Sequence, residues 1–185
     1  MTDLEQALSD VTHHLEAADL PYMVIGGLAN AVWGVPRATV DVDITVSVAE
    51  GAIDAVIAGL GERFQSLVER PVDFVQSHRV LPLRHPNGVR IDVIFALLPF
   101  EEEAIRRAVG RRVAGREVRF CTAEDLILHK VASERLRDRR DAEQIVRRRL
   151  GELDRDYLDP RIRELADLLE RPAIWENYQA WLAAG

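Results

Sequence analysis

Residues 22–46 read YMVIGGLANAVWGVPRATVDVDITV. A short apolar run precedes Gly26 and Gly27, and a second apolar run carries Asp41 and Asp43. The first run predicts a short buried strand, GGLANAVWG predicts a helix that opens at the glycines, and VDVDITVSV predicts a second strand. The stretch therefore predicts a strand, a glycine turn, a helix and a strand that bears two carboxylates.

The two aspartates point to the same side of their predicted strand, because side chains alternate along a strand. They lie ~7 Å apart at a rise of ~3.3 Å per residue, and Val40, Val42 and Ile44 then face the core. Aspartate is disfavoured in strands, and neighbouring like charges repel. A solvent-facing sheet surface would tolerate Asp41 and Asp43, whereas a divalent cation between them would remove the repulsion.

A third aspartate, Asp92, interrupts the apolar strand predicted for VRIDVIFAL in the same way. It is a further ligand of the cation, the partner of Arg90 in a salt bridge, or a residue on an exposed strand face. Mg²⁺ takes oxygen ligands and is usually held by a few carboxylates together with substrate phosphates. Gly26 and Gly27 fit this chemistry, because small residues at a strand-to-helix turn let backbone N–H groups face an anion closely.

The rest of the chain predicts an α/β (α+β) fold in which helices flank one mixed β-sheet. VDFVQ, HRVLPLRH and NGVRIDVIFAL are predicted strands, and RRVAGREVRFC is a predicted hairpin. Helices are predicted over residues 3–18, 50–60 and 100–109, after an N-cap at Thr122, and near 138–149, 159–170 and 172–183. We expect residues 1–121 to form the α/β core and residues 122–185 a C-terminal helical portion packed on it as a single compact unit.

Composition limits the classes of protein that the chain can belong to. Its 185 residues suit one domain, and the single cysteine, Cys121, cannot form an internal disulfide. The N-terminal stretch resembles no signal peptide, and no apolar run approaches the ~20 residues that span a bilayer. We therefore expect a cytoplasmic protein without a membrane segment.

The charges are unevenly distributed. A net charge of −7 argues against a general nucleic-acid coat protein, yet residues 106–119 hold six arginines and one glutamate. This stretch either binds a phosphate-bearing ligand or is a solvated surface. Of the 24 basic residues, 23 are arginine and only Lys130 is lysine. A position that keeps lysine in such a composition is either a leftover or needs a compact point charge.

The order VIGG, a spacer and DVDI resembles the nucleotidyltransferase superfamily related to DNA polymerase beta. Within it, GVPRATVDVDI looks like the Arg-x-Thr-x-Asp-x-Asp segment of the branch that contains abortive-infection (AbiEii-type) toxins. AEDLILHKVASERLRDRRDAEQI looks like that branch's downstream helix pair. The resemblance covers residues 20–147 and implies a nucleotidyltransferase-like fold. Many active members have serine where this chain has Gly27.

The resemblance implies roles for residues in both segments. Asp41 and Asp43 would bind metal and act in catalysis, and Gly26 and Gly27 would bind the nucleotide. The positions of two other residues, and not the resemblance, suggest their roles: Asp92 in its strand would be a further metal ligand, and Arg37 beside the aspartates would bind the nucleotide phosphates or form a surface ion pair.

In the downstream helices, Lys130 would contact the phosphates and act in catalysis. Asp141 would be the catalytic downstream aspartate, with Asp138 as its rival because the RDRRD spacing permits either.

The implied function is a metal-dependent transfer of NMP from an NTP to a hydroxyl acceptor, with Mg²⁺ or Mn²⁺ as cofactor. The acceptor would be an RNA 3′ end, such as that of tRNA, a protein or a small molecule. A toxin–antitoxin or phage-defence role would add a cognate antitoxin or toxin as partner. The alternatives are a noncatalytic relative that binds a nucleotide or a partner, and a dimerisation module built on Trp175, Tyr178 and Trp181.

Overall fold

The computed structural model of the chain describes residues 1–184. Its strands are β1 (Tyr22–Val24), β2 (Asp41–Val46), β3 (Gln65–Ser66), β4 (Val80–Arg84), β5 (Arg90–Phe95), β6 (Val109–Val113) and β7 (Arg116–Phe120). They form one mixed sheet in the order β3-β4-β5-β2-β1-β7-β6. β2 is antiparallel to β1 and parallel to β5, so the glycine-turn strand and the Asp92 strand flank the strand with two aspartates.

Nine α-helices accompany the sheet within the described residues. They are α1 (Asp3–Ala17), α2 (Gly26–Trp33), α3 (Ile53–Gly61), α4 (Pro71–His78), α5 (Pro99–Arg107), α6 (Ala123–Ala132), α7 (Leu136–Arg149), α8 (Arg155–Leu168) and α9 (Ala173–Ala183). A short 3-10 turn, Glu50–Ala52, leads into α3. The predicted fold class, a mixed sheet flanked by helices with further helices at the C-terminal end, is confirmed.

The two faces of the sheet differ in burial. On one face, Val42 and Ile44 of β2 and their neighbours on β5, β4, β1 and β7 are fully or almost fully buried. The other face carries Asp41 and Asp43, both partly exposed. The prediction that Val40 faces the core is wrong, because the ladder with β5 begins at Asp41 and leaves Val40 78% exposed.

One predicted strand is a helix. VDFVQ lies in α4, where Pro71 occupies the first turn and Arg79 ends the helix in the left-handed conformation, with φ of 61°. Proline at the start of a helix loses no hydrogen bond there, since the first N–H groups have no partner within the helix. The alternating apolar residues of this segment were therefore weaker determinants than its two ends.

A predicted helix cap and a predicted hairpin turn are both present in the structure. The hydroxyl of Thr122 accepts a hydrogen bond from the backbone N–H of Asp125 and caps α6, as predicted. Ala114 and Gly115, both with positive φ, make the turn between β6 and β7. The two-residue strand β3 was not predicted, because its sequence has no apolar alternation.

The chain divides into two compact units. The sheet unit comprises residues 1–28 and 38–121, and the helical unit comprises residues 29–37 and those from 122 onward. Among residues 1–184, no helix combines the length and the apolar character that crossing a bilayer requires.

Candidate active site

The strand register brings three aspartates to one face of the sheet. Asp43 on β2 pairs with Asp92 on the parallel strand β5, and Asp41 pairs with Arg90. Residues paired across neighbouring strands lie on the same face, and the strands are ~4.8 Å apart. Asp41, Asp43 and Asp92 are therefore neighbours, and each is partly exposed.

Arg90 balances part of this negative charge. Its Nε lies 3.0 Å from each carboxylate oxygen of Asp92, and its Nη2 lies 3.0 Å from Oδ1 of the same residue. These hydrogen bonds raise the pKa of Arg90, and the charges of Asp92, Asp41 and Asp43 raise it further, against an opposing effect of burial. The ion pair between Asp92 and Arg90, which the sequence left open as an alternative to metal binding, is thus present in the structure.

Gly26 lies directly against Asp43. Its φ of 64° is in the left-handed region, and a Cβ added there would lie 1.9 Å from Oδ2 of Asp43. Only glycine permits both this backbone conformation and the close approach of the carboxylate. The glycine turn and the strand with two aspartates, separated by fourteen residues or more in sequence, therefore form one local structure.

Gly27 makes room for a hydroxyl that the sequence analysis did not assign to the site. A Cβ at Gly27 would lie 2.5 Å from Oγ1 of Thr39. The same hydroxyl donates a hydrogen bond of 3.1 Å to Oδ1 of Asp41. Thr39 thus occupies the space into which a serine at position 27 would extend, and it also orients one of the aspartates. Its only sequence signal was its place in the segment RATVDVD.

The donor chemistry at this face fits a hard divalent cation. Asp41, Asp43 and Asp92 offer carboxylate oxygens, which are the ligands that Mg²⁺ and Mn²⁺ favour. Among the side chains that the structure describes, no three from His, Cys, Asp or Glu are already gathered closely enough to hold a metal. Asp92 would have to leave Arg90 to become a ligand.

The other predicted residues form a buried charge network in the helical unit. Nζ of Lys130 lies 2.8 Å from Oδ1 of Asp138 and 2.8 Å from Oδ2 of Asp141. The side chains of all three are at most 6% exposed. The rival aspartates of the sequence analysis are therefore both partners of the lysine.

Asp138 has more close hydrogen-bond donors than Asp141. Burial by itself would raise its pKa, but hydrogen bonds from Lys130, Ser133 and Arg135 outweigh burial and lower the pKa to about 2. Ser133 Oγ and Arg135 Nε both donate to Oδ2 of Asp138, at 2.8 Å and 2.6 Å. Asp138 is thus ionised at neutral pH and holds the turn between α6 and α7.

Arg37 belongs to this network as well. Its Nη2 lies 3.4 Å from Oδ2 of Asp141, and its side chain is 26% exposed. Its Nε is buried and has no hydrogen-bond partner among the described residues. The ion pair considered for Arg37 from the sequence is formed, with Asp141 as the partner. Whether Arg37, Lys130 and Asp141 bind nucleotide stays a prediction.

A mixed sheet in which a glycine turn meets an Asp-x-Asp strand is the arrangement expected of a nucleotidyltransferase. The chain belongs to the family described as "Nucleotidyltransferase of unknown function (DUF6036)", whose profile matches residues 1–181. The resemblance to nucleotidyltransferases is therefore confirmed, while the abortive-infection branch is not. No curated protein matches the chain in sequence.

Several solved structures share the fold. An antigenic nucleotidyltransferase-like protein from Paracoccidioides brasiliensis aligns with a TM-score of 0.56 and 18% identity, over 96% of this chain and 93% of its own. The antibiotic-resistance factor ANT(2'')-Ia aligns with a TM-score of 0.54 and 18% identity, over 95% and 93%.

The lincosamide antibiotic adenylyltransferase LnuA, bound to lincomycin, aligns with a TM-score of 0.53 and 15% identity, over 78% of this chain and 96% of its own. At these identities, the likenesses establish the fold alone.

Proposed function

We propose that this protein is a metal-dependent nucleotidyltransferase that transfers an NMP from an NTP to a hydroxyl acceptor. The observation that carries the proposal is the contact between Gly26 and Asp43 on the face where Asp41 and Asp92 also lie. A phosphate-binding turn and a set of hard oxygen ligands are thereby adjacent within one unit. The matching family supports the same reaction class.

Residues of the sheet unit have separate roles in metal binding, phosphate binding and positioning. Asp41 and Asp43 would hold Mg²⁺ or Mn²⁺, and Asp92 would be a third ligand if its ion pair with Arg90 opened. When bound, the cation supplies positive charge opposite the phosphates and makes the acceptor hydroxyl more acidic. The backbone N–H groups at Gly26 and Gly27 face the triphosphate. Thr39 holds the carboxylate of Asp41 in its orientation.

The transfer is a single in-line displacement. The acceptor oxygen forms a bond to the α-phosphorus while the bond from that phosphorus to the bridging oxygen breaks, and pyrophosphate leaves. The proton of the acceptor hydroxyl passes to Asp92. This residue lies on β5, which is separated by β2 from β1 and the glycine turn. Positioning and electrostatic stabilisation supply the catalysis, so no covalent enzyme intermediate is needed.

A second candidate function is a noncatalytic relative that binds a nucleotide or a partner protein. The observation in its favour is the Arg90–Asp92 ion pair, which already satisfies one of the expected ligands. A toxin–antitoxin or phage-defence role, with a cognate antitoxin or toxin, rests on the resemblance of the RATVDVD segment to the abortive-infection branch. In that setting, the nucleotidyltransferase would be the toxin.

The experiment offers the protein each α-³²P-labelled NTP with Mg²⁺ or Mn²⁺, and total tRNA, lysate proteins or small hydroxyl compounds as acceptors. We expect the label to be transferred and the variant Asp41→Asn/Asp43→Asn to lose at least ~100-fold in rate. Asp54→Asn, an exposed carboxylate in α3, is the matched control and should transfer normally. Nucleotide binding without transfer to any acceptor would favour the noncatalytic function instead.

A further inference from the structure

Two arginines lie beside the aspartates on the same face of the sheet. Arg84 on β4 is directly opposite Arg90 on β5, and Arg90 is opposite Asp41 on β2. The next row along the strands consists of Pro82, Asp92 and Asp43. The row therefore leads from Arg84 across β5 to Asp41, beside the row of Asp92 and Asp43.

The arginines lack a full set of partners. Arg84 is exposed, and its guanidinium makes no hydrogen bond or ion pair with any residue in the described part of the chain. Arg90 is paired only with Asp92, and its side chain is 53% exposed. Like charges directly opposite each other destabilise a sheet, because their Cβ atoms are ~4.5–5.5 Å apart. An anion bridging Arg84 and Arg90 would remove that repulsion.

The position of Arg84 and Arg90 relative to the glycine turn indicates whether they bind the triphosphate or the acceptor. β1, which leads into Gly26, lies on one side of β2, and β5 and β4 lie on the other. With the triphosphate at the glycine turn, the acceptor approaches from the side of β5 and β4. Arg84 and Arg90 would therefore meet the acceptor.

The local charge also depends on the cation. Three carboxylates and two guanidinium groups sum to −1 at this face. One bound divalent cation adds two positive charges and changes the sum to +1 before NTP binds. An anionic acceptor is thus attracted to the metal-bound, NTP-free state, whereas a cationic small molecule is repelled by the arginines.

We propose that Arg84 and Arg90 bind the backbone phosphates of a single-stranded nucleic acid whose 3′ hydroxyl is the acceptor. This inference rests on the proposed function and specifies the acceptor class of the same site. A nucleic-acid 3′ end fits because it carries a phosphate next to its terminal hydroxyl. A guanidinium group can bind a phosphate with two parallel hydrogen bonds. Arg84 and Arg90, which lie beside the three aspartates, are therefore suited to the phosphates of a nucleic-acid backbone.

The experiment measures binding of fluorescein-labelled single-stranded RNA, and of DNA with the same sequence, by anisotropy in Mg²⁺ without NTP across a KCl series. We expect Arg84→Gln to weaken binding of the RNA about tenfold. It should also lower the slope of log K against log[KCl] by about 0.7, the value for one phosphate contact in a single strand. The DNA arm tells whether the contact needs only the phosphate backbone or also the ribose.

Arg112→Gln is the matched control, because Arg112 is another exposed sheet arginine, on β6 at the opposite edge. We expect this variant to bind RNA like the wild type. An unchanged salt slope in Arg84→Gln would overturn the proposal, and so would a loss seen only in Arg112→Gln, which would place the nucleic acid on the arginine-rich stretch 106–119.

The metal- and NTP-induced rise in melting temperature separates this inference from the proposed function. Arg84→Gln should keep the full rise, because Arg84 lies on the acceptor side. A wild-type protein without any such rise would refute the proposed function. A normal rise, combined with nucleic-acid binding that does not depend on Arg84, would refute only the acceptor assignment.

Discussion

The replacement Lys130→Met tests what the only lysine in the chain does. Methionine keeps a long unbranched side chain and removes the ammonium, which lies 2.8 Å from both Asp138 and Asp141. The two carboxylates would remain in the interior of the helical unit without their shared counter-ion. We expect the variant to be substantially less stable for this reason alone.

The size of the effect follows from the partners that remain. Breaking a buried ion pair by removing one member costs about 3–5 kcal/mol, because the other charge stays buried. Asp138 keeps Ser133 and Arg135, and Asp141 keeps Arg37 at 3.4 Å, so the lower end of the range applies. A loss of about 3 kcal/mol lowers the melting temperature of a chain of this size by about 6–12 °C.

The assay is urea unfolding followed by circular dichroism at pH 7. The triple variant Lys130→Met/Asp138→Asn/Asp141→Asn should recover much of the lost free energy of unfolding, because no buried carboxylate is left without a counter-ion. Arg37 and Arg135 lose their partners in this variant, but their side chains are 26% and 69% exposed and stay solvated. A loss below 1 kcal/mol in Lys130→Met would refute the structural role. Normal stability combined with lost nucleotide binding would instead support Lys130 as the phosphate ligand that the resemblance implies.

Two further predictions concern Gly27 and Asp138. Gly27→Ser should lower the free energy of unfolding by about 1–3 kcal/mol, because its Cβ would lie 2.5 Å from Oγ1 and 2.9 Å from Cβ of Thr39, and adding Thr39→Gly, which removes both atoms, should relieve the effect in urea unfolding. Equal losses with and without Thr39→Gly would contradict that contact. Ionised Asp138, whose pKa is lowered from 3.8 to about 2, should contribute about 2 kcal/mol to the free energy of unfolding above pH 4. This contribution should disappear as the pH falls toward 2. Unfolding free energies measured from pH 5 to pH 2 should fall less steeply in Asp138→Asn, and parallel curves would show that another group dominates.

The sequence was sufficient for the parts of the fold that have strong local determinants. The cap at Thr122 follows from a residue type that favours the start of a helix, and the turn between β6 and β7 from a glycine that accepts positive φ. The strands before Gly26 and around Asp43 follow from their runs of β-branched and other apolar residues. VDFVQ was assigned wrongly because short apolar runs fit a strand or a helix equally well, and the proline and the left-handed residue at its two ends decided the matter.

The candidate site was only partly accessible from sequence. Asp41 and Asp43 are recognisable because two carboxylates in an apolar strand are unusual. Thr39 and Arg84 are not, because their significance depends on strand register and on the space beside a glycine, which a single sequence does not specify. The double pairing of Lys130 likewise depends on how α6 and α7 pack.

The most direct test of the central claim is the melting temperature of the protein with saturating Mn²⁺ and a non-hydrolysable NTP analogue. At 100 times the dissociation constant, a ligand specific for the folded state adds about 2.7 kcal/mol, which corresponds to a rise of about 5–11 °C. We expect this rise in the wild type and in Asp54→Asn, and its loss in Asp41→Asn/Asp43→Asn. An equal rise in that double variant would contradict the assignment of the metal and nucleotide to the two aspartates on β2.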